Sequence, residues 1–264
     1  PRERRLDEIM LRDVFSLLPE TTLLEAMKAT MNRHYPVYPV CAEDGRLIGL
    51  VRGQALAEAQ AFELTAQAGA MVGVEKEERL ATPVWRSFLF RHPWLQLNLL
   101  TAFVAAAVVG LFANTLERIV LLAVFLPVLA GQSGNTGCQA LAVALRAMTL
   151  GELKEGKEWS AVVKESLLGL ANGALVGLTA GAGMLVYASM QKEPPPCPPW
   201  QLGGIVFLAM IGACIVSGAC GALIPTVLRR CGADPATASS IFLTTATDVV
   251  SMGLFLGLAT WLIL

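Results

Sequence analysis

The residue with the clearest potential for chemistry is Asp248, near the middle of the long apolar stretch SIFLTTATDVVSMGLFLGLATWLIL at 240–264. An ionised carboxylate inside a membrane costs at least about 2.5–3.5 kcal/mol on insertion scales unless it faces water or a cation. Thr244 and Thr245 precede it and suggest a polar helix face. We therefore interpret Asp248 as part of a cation pathway. The alternative is a neutral, hydrogen-bonded aspartate that holds two helices together.

A second segment with polar chemistry is PVLAGQSGNTGCQ at 127–139, which interrupts another apolar stretch with glycines and amides. Asn135 and Gln139 are four residues apart and therefore share one face of a helix. Gly131 and Gly134 allow backbones to approach closely, which by itself is typical of helix packing. The concentration of amides favours a pore wall, because oxygen ligands suit hydrated cations and Mg²⁺ dehydrates reluctantly.

The chain that carries these residues has the composition of a membrane protein. Of its 264 residues, 55% are hydrophobic and only 16% are charged, whereas a soluble domain carries about 25% charged residues. Residues 1–94 hold 12 of the 20 Lys and Arg and 13 of the 21 Asp and Glu, so the charge is concentrated in a short N-terminal part. The net charge of -1 excludes a strongly basic nucleic-acid-binding protein, and we expect no nucleic-acid partner.

Five apolar stretches predict an all-α, multi-pass membrane domain over residues 95–264. Each stretch is near the ~20 residues that a membrane-spanning helix needs. Basic residues concentrate at the second and fourth connections, which predicts that the N-terminus is cytosolic and the C-terminus lies outside. The five predicted transmembrane helices are 97–116, 119–145, 162–190, 201–228 and 236–264.

The N-terminal part predicts a small cytosolic α+β unit over residues 1–53. A helix is predicted at Thr21–Met31, and strands are predicted at Tyr35–Cys41 and Leu47–Val51, with a turn between them. This order and the segment DGRLIGLV at 44–51 resemble one CBS repeat.

Two further segments lead from this unit to the membrane domain. Residues 54–80 predict a connecting helix and a linker. Residues 81–94 predict an amphipathic helix on the inner leaflet, where tryptophans favour the interface. Arg86 and Arg91 would meet anionic headgroups there, so we expect membrane lipid as a partner.

Two long motifs resemble the MgtE-type magnesium transporters and channels. The segment LPVLAGQSGNTGCQALAVALRA at 126–147 is similar to the second membrane helix of that family, and GADPATASSIFLTTATDVVSMGLFL at 232–256 is similar to its last. The order of CBS unit, connecting (plug-type) helix, amphipathic helix and five membrane-spanning helices matches as well. The resemblance covers nearly the whole chain.

This resemblance implies a homodimer in a bacterial plasma membrane, with the pore between the two subunits. Asp248 would be the carboxylate of the central ion site, Asn135 would line the same pore, and Asp234 would lie at its cytosolic mouth. Two Asp248 side chains would then face one Mg²⁺, and a divalent cation removes their mutual repulsion more fully than a monovalent one. Mg²⁺ would be the transported ion and a possible ligand, with no organic cofactor.

The sequence departs from the family in its connecting helix. The family carries a dense acidic cluster there that binds regulatory Mg²⁺, whereas Arg52–Leu64 keeps only Glu58 and Glu63 as possible regulatory ligands. Closure of the pore by the family's scheme is therefore not expected. The nucleotide-binding Thr and Asp of CBS repeats are also missing at Val51–Gln54, so we expect no nucleotide binding.

The function predicted from the sequence is passive, channel-like movement of Mg²⁺ across the plasma membrane, and no enzyme activity is expected. One alternative is an ion-coupled secondary transporter of Mg²⁺, Co²⁺, Ni²⁺ or Mn²⁺. The other is a CBS-linked membrane sensor that transports nothing. We also expect the sequence, which starts at Pro1, to begin inside a longer polypeptide.

Overall fold

The protein is described by a computed structural model. Its chain forms two compact units, Pro1–Ala66 and Gln67–Leu264. The structure describes residues 5, 8, 10, 14–30, 32–150, 152–153, 156–192, 195–237 and 239–264.

The first unit has the predicted order of one helix and two strands, followed by a further helix. Its elements are α1 (Leu23–Thr30), β1 (Val37–Cys41), β2 (Leu47–Arg52) and most of α2 (Gly53–Met71). The strands are antiparallel, and Gly45 in the turn between them has φ +82°, a conformation that favours glycine. This compact unit ends at Ala66 and so includes most of α2, whose residues the sequence analysis assigns to the connecting helix.

Helix α1 begins at a capping box formed by Thr22 and Glu25, close to the predicted start at Thr21. The Thr22 backbone N–H donates to Glu25 Oε2 at 3.0 Å, and the Glu25 backbone N–H donates to Thr22 Oγ1 at 3.4 Å. This reciprocal pair satisfies two backbone donors that a helix start leaves free. The hydrogen bonds to Thr22 also hold the pKa of the Glu25 carboxyl below its ordinary value.

The second unit is a bundle of helices around α7, whose side chains Leu202, Val206 and Met210 are completely buried. Helix α7 packs against α5, α6 and α8, and α3 packs against α8. The described helices are α3 (Val84–Leu111), α4 (Ala113–Arg118), α5 (Leu121–Thr149), α6 (Glu158–Ser189), α7 (Pro199–Arg230) and α8 (Ser239–Ile263).

Four of these helices, α3, α6, α7 and α8, are long and apolar enough to cross a membrane. The sequence analysis predicts five such helices, and that count is not confirmed. Helix α5 has 29 residues, but glycines and amides at 131–139 lower the hydropathy of its middle. The predicted span at 119–145 is therefore a helix that is long enough to cross a membrane but is less apolar than the other four.

Helix α3 covers most of the positions of two predicted helices. The sequence analysis separates an interfacial helix at 81–94 from a first span at 97–116, whereas the structure has one helix from Val84 to Leu111 with Pro93 inside it. A proline removes one backbone donor, and a long helix can continue past it when the residues on both sides favour helix. The aromatic residues at its start remain on the surface, since Trp85 is 69% exposed and stacks on Phe88.

A row of glycines brings α6 and α7 into direct backbone contact. Gly169, Gly173, Gly177 and Gly181 recur every four residues along one face of α6. A Cβ added at Gly169 would lie 2.3 Å from the carbonyl oxygen of Cys214, and one at Gly181 would lie 2.6 Å from that of Gly203. Only glycine permits such an approach, so these residues set the distance between the two helices.

Candidate functional site

Asp248 lies in the middle of α8, on a face that is otherwise directed into the protein. Ile241 and Phe255, two turns before and two turns after it, are only 6% and 0% exposed. Residues seven apart share a helix face, so Asp248 belongs to the same buried line. Asp248 itself is half-buried. Asp248 is therefore partly accessible, unlike Ile241 and Phe255 on the same line.

The Asp248 carboxylate has no hydrogen bond or ion pair with any residue that the structure describes. Ser251 donates to the backbone oxygen of Asp248, at 3.3 Å, and not to its side chain. A structural aspartate would link two helices through a hydrogen bond. Within the described part of the chain, Asp248 forms no such link. A carboxylate in this position is available to a cation, to water or to a proton.

The hydroxyl-bearing residues around Asp248 divide into two faces. Thr244 is exposed and Thr245 is half-buried, and both lie one turn before Asp248. Their hydroxyls donate to the carbonyl oxygens of Ser240 and Ile241, at 2.7 and 2.9 Å, which leaves the hydroxyl oxygens free to accept or to coordinate. Thr247, by contrast, is 1% exposed and faces a neighbouring helix.

Helices α5 and α8 cross at Gly137. A Cβ at this position would lie 3.0 Å from Leu243 Cδ1 and 3.2 Å from Thr247 Cγ2, so the two helices touch there. On its other side, Gly137 meets α7, where a Cβ added to Gly221 would lie 2.5 Å from the Gly137 carbonyl oxygen. This close crossing places Gly137 of α5 next to Thr247, the residue that precedes Asp248.

The amide-bearing face of α5 points away from that crossing. Gly131, Asn135 and Gln139 are all exposed, and Gly134 is half-buried. Asn135 Nδ2 donates to Gln132 Oε1, at 3.4 Å, within the same helix. Among the described residues no hydrogen bond joins Asn135 to Asp248.

Asp234 lies in the loop that precedes α8 and is exposed. Its Oδ1 accepts a hydrogen bond from the Ala236 backbone N–H at 3.0 Å, an arrangement typical of aspartate in a turn. One carboxylate oxygen therefore supports the turn, and the other is free for a ligand.

A cleft of about 450 Å³ beside Thr244 was not predicted from the sequence. Ser240 and Thr244 line it from α8, and Trp94 and Asn98 line it from α3. Ser240, Thr244 and Asp248 recur every four residues, so the cleft lies on the same polar stripe of α8 as the carboxylate. That four-residue spacing is the signal in the sequence that could have indicated it.

The possible regulatory carboxylates lie apart from one another on α2. Glu58 is exposed and accepts a hydrogen bond from Gln54 Nε2 at 2.9 Å, whereas Glu63 is half-buried. They are five residues apart, which places them on different sides of a helix. Within the described ranges, no group of three His, Cys, Asp or Glu residues could hold a metal ion.

The first unit also contains a cavity, of about 510 Å³, between the end of α1 and the start of α2. Arg33, Tyr35 and Gln54 are among the residues that line it. Gly53 also lines it and lies so close to Tyr35 that an added Cβ would be 2.3 Å from the Tyr35 carbonyl oxygen. The cavity itself does not test whether a nucleotide binds there, and the absence of nucleotide binding stays a prediction.

A bundle of long apolar helices, a half-buried carboxylate in the last of them and a small α+β unit before them are the architecture expected of a membrane protein. Residues 126–258 match the MgtE family, described as divalent cation transporters, and residues 6–61 match the CBS domain. The chain belongs to the MgtE family.

Three curated proteins named magnesium transporter MgtE are similar to the chain. The protein from Enterococcus faecalis is 31% identical over 222 residues, which are 84% of this chain and 47% of the relative. The protein from Thermus thermophilus is 30% identical over 263 residues, 98% of this chain and 56% of the relative. The protein from Bacillus subtilis is 24% identical over 258 residues, 98% and 55% respectively. The chain spans about half the length of these relatives.

Proposed function

We propose that the chain conducts Mg²⁺ passively across the plasma membrane, with Asp248 as the carboxylate that the ion meets. One observation carries this proposal: a half-buried carboxylate in the middle of an apolar helix has no protein partner among the described residues. An ionised carboxylate inside a membrane costs free energy, and a cation that passes beside it offsets that cost. The names of the three relatives favour magnesium as the ion.

The pore in this proposal lies between two copies of the chain. Gly131, Asn135 and Gln139 expose an amide-bearing face of α5 that lipid would not solvate. A second copy across a water-filled path would give these amides partners and would bring two Asp248 side chains toward one ion. In such a homodimer Asn135 and Asp248 would line one shared path.

In this arrangement α5 is the fifth membrane-spanning helix. Its buried residues Leu129, Ser133 and Gly137 face α7 and α8, and its polar face lines the path. The N-terminal unit and Asp234 would then lie on the cytosolic side and the C-terminus outside, as the basic residues of the loops predict. Asp234 would raise the local concentration of cations at the mouth.

The chemistry of the proposed path favours Mg²⁺ over softer metals. Thr244, Thr245, Asn135 and Asp248 offer oxygen atoms, the ligands that hard cations prefer. Mg²⁺ keeps several of its waters when it binds, so the path would select partly on the hydrated radius. Glu58 and Glu63 are proposed as weak regulatory ligands, since two separated carboxylates give little divalent affinity.

A second candidate function is ion-coupled transport of a divalent cation. The same open carboxylate favours it, because a carboxyl group that meets no protein donor can bind a proton in alternation with a metal. Coupled transport predicts saturation and uptake against a Mg²⁺ gradient when the coupling ion is supplied.

The experiment is Mg²⁺ uptake into proteoliposomes with an imposed negative-inside potential, for the unmodified chain, Asp248→Asn and Asp248→Ala. Uptake driven by the potential should fall to the background of empty liposomes in both variants. Asp44→Asn is the matched control, because Asp44 lies in the exposed turn between β1 and β2 and the change removes the same charge.

The other results have distinct meanings. Uptake that survives both changes at Asp248 would exclude this residue as the ion site. Uptake that appears only with a proton or sodium gradient would favour the coupled transporter. No uptake by any folded form would leave the CBS-linked sensor as the better description.

A further inference from the structure

We propose that the start of α6 and the end of α7 form a binding site for the phosphate of an anionic phospholipid. The inference rests on the proposed placement of these helices in a membrane. A cavity of about 430 Å³ lies between them and is lined by Gly156, Glu158, Arg229 and Arg230. The ion path at Asp248 uses none of these residues.

The described residues that line the cavity carry a net positive charge, from two arginines against one glutamate. Arg229 and Arg230 both point an NH2 group at the same oxygen, Oε1 of Glu158, at 3.5 Å. The other carboxylate oxygen accepts a hydrogen bond from the Gly156 backbone N–H at 2.9 Å. Two guanidiniums carry ten N–H donors, and within the described residues they meet only this one carboxylate.

The exposure of these groups fits a ligand that arrives from outside the protein. The Glu158 side chain is only 10% exposed, whereas the side chains of Arg229 and Arg230 are 34% and 68% exposed. The buried carboxylate holds one edge of each guanidinium, and the remaining edges face solvent or headgroups. Guanidinium groups bind phosphate oxygens through paired hydrogen bonds, which is the chemistry that this cavity offers.

The surroundings favour a lipid over free phosphate. Trp159 follows Glu158 directly and is 71% exposed, as expected for a tryptophan at a membrane interface. Leu167 on α6 and Val227 on α7 are 60% and 47% exposed and would contact acyl chains. Lys157, also exposed, adds a further cation beside the cavity. A phosphate attached to acyl chains matches this pairing of cations and apolar surface, which free phosphate does not.

The test uses the full chain in lipid nanodiscs and reads the fluorescence of Trp159, obtained by subtracting the signal of Trp159→Phe. Brominated phosphatidylglycerol should quench Trp159 more strongly than brominated phosphatidylcholine at the same mole fraction. Arg230→Gln should weaken the apparent affinity for phosphatidylglycerol about fivefold, since one cation near an anionic surface contributes about 1 kcal/mol. Arg229→Gln with Arg230→Gln should abolish the preference.

Two further variants separate a lipid site from a simple link between helices. Arg118→Gln removes an exposed arginine at the end of α4 and should leave the preference unchanged. Glu158→Gln removes the competing negative charge and should strengthen phosphatidylglycerol binding, whereas a mere link would only lose stability. Mg²⁺ uptake is measured on the same variants in proteoliposomes, so a failure of the proposed function is distinguishable from a failure of this site.

Three results would overturn the proposal. Equal quenching by both lipids in the unmodified chain would exclude a preference for anionic lipid. An unchanged preference in the double arginine variant, with a melting curve like that of the unmodified chain, would exclude these residues. Displacement of the brominated lipid by inorganic phosphate, but not by chloride at the same ionic strength, would show that the cavity takes free phosphate.

Discussion

Gly137 of α5 packs directly against Thr247 of α8, and a Cβ at position 137 would lie 3.2 Å from Thr247 Cγ2. The residue after Thr247 is Asp248, so the contact fixes where α8 presents its carboxylate. Thr247 is consequently a packing residue, although its hydroxyl and its position beside Asp248 give it the appearance of a site residue.

The three threonines should therefore differ in their effect on transport. Thr244→Val should lower Mg²⁺ uptake about two- to tenfold, the range expected for one lost polar interaction, because Thr244 is exposed on the stripe of Asp248. Thr247→Val keeps the shape that packs on Gly137 and should leave uptake nearly unchanged. Potential-driven uptake into proteoliposomes measures both, and an equal loss in the two variants would contradict this assignment.

The glycine row between α6 and α7 leads to a prediction about stability. Gly169→Ala would place a Cβ 2.3 Å from the Cys214 carbonyl oxygen, a backbone atom that cannot move alone. Overpacking of this kind costs about 1–3 kcal/mol or more, and the melting temperature in detergent should fall.

Gly183→Ala is the control in the same helix, because its Cβ would have no atom within 4 Å outside its own turn. Alanine favours helix over glycine by about 0.5–1 kcal/mol, so the control should melt at the same or a higher temperature. An equal loss of stability in both variants would exclude close helix packing as the reason why position 169 requires glycine.

The linker between α2 and α3 should respond to pH through Glu78. Arg91 Nε donates to Glu78 Oε1 at 2.8 Å, and this hydrogen bond holds the pKa of the Glu78 carboxyl below its ordinary value. The stabilisation is therefore present above the unfolded-state pKa of about 4.3 and is lost as the pH falls through the lower folded-state pKa.

Hydrogen exchange of the amides at 72–83, corrected for intrinsic rates, measures this effect. Protection should fall on acidification in the unmodified chain and should be low at all pH values in Glu78→Gln. Glu77→Gln is the matched control, since the Glu77 side chain is 81% exposed and lies 3.8 Å from Arg86. Retained protection in Glu78→Gln would mean that other contacts hold the linker.

Local signals were sufficient to predict the first unit and the position of Asp248. The helix start near Thr21 and the turn between the strands could be predicted, because capping and turn residues act within a few positions. A carboxylate in an apolar stretch is equally visible, since its cost depends on the solvent around the helix and not on a partner.

Features that depend on distant partners were missed or misplaced. The continuity of α3 through Pro93 depends on residues on both sides, and a local rule predicts a break there. The glycines of α6 acquire their role only when the backbone at Cys214 and Gly203 lies opposite them. The cleft at Asn98 likewise needs α3 beside α8, and the four-residue spacing from Ser240 to Asp248 indicates only the α8 side of it.

The polar middle of α5 also bears on how the protein would be made. In the proposed arrangement, the helix that lines the water path is the one that partitions least readily from the translocon into lipid by itself. Its partners α7 and α8 are synthesised later, so stable insertion of α5 would wait until they emerge. Helix α5 would then become stable in the membrane only after α7 and α8 have been inserted. The two subunits would associate after that step, once α5 is packed against these helices of its own chain.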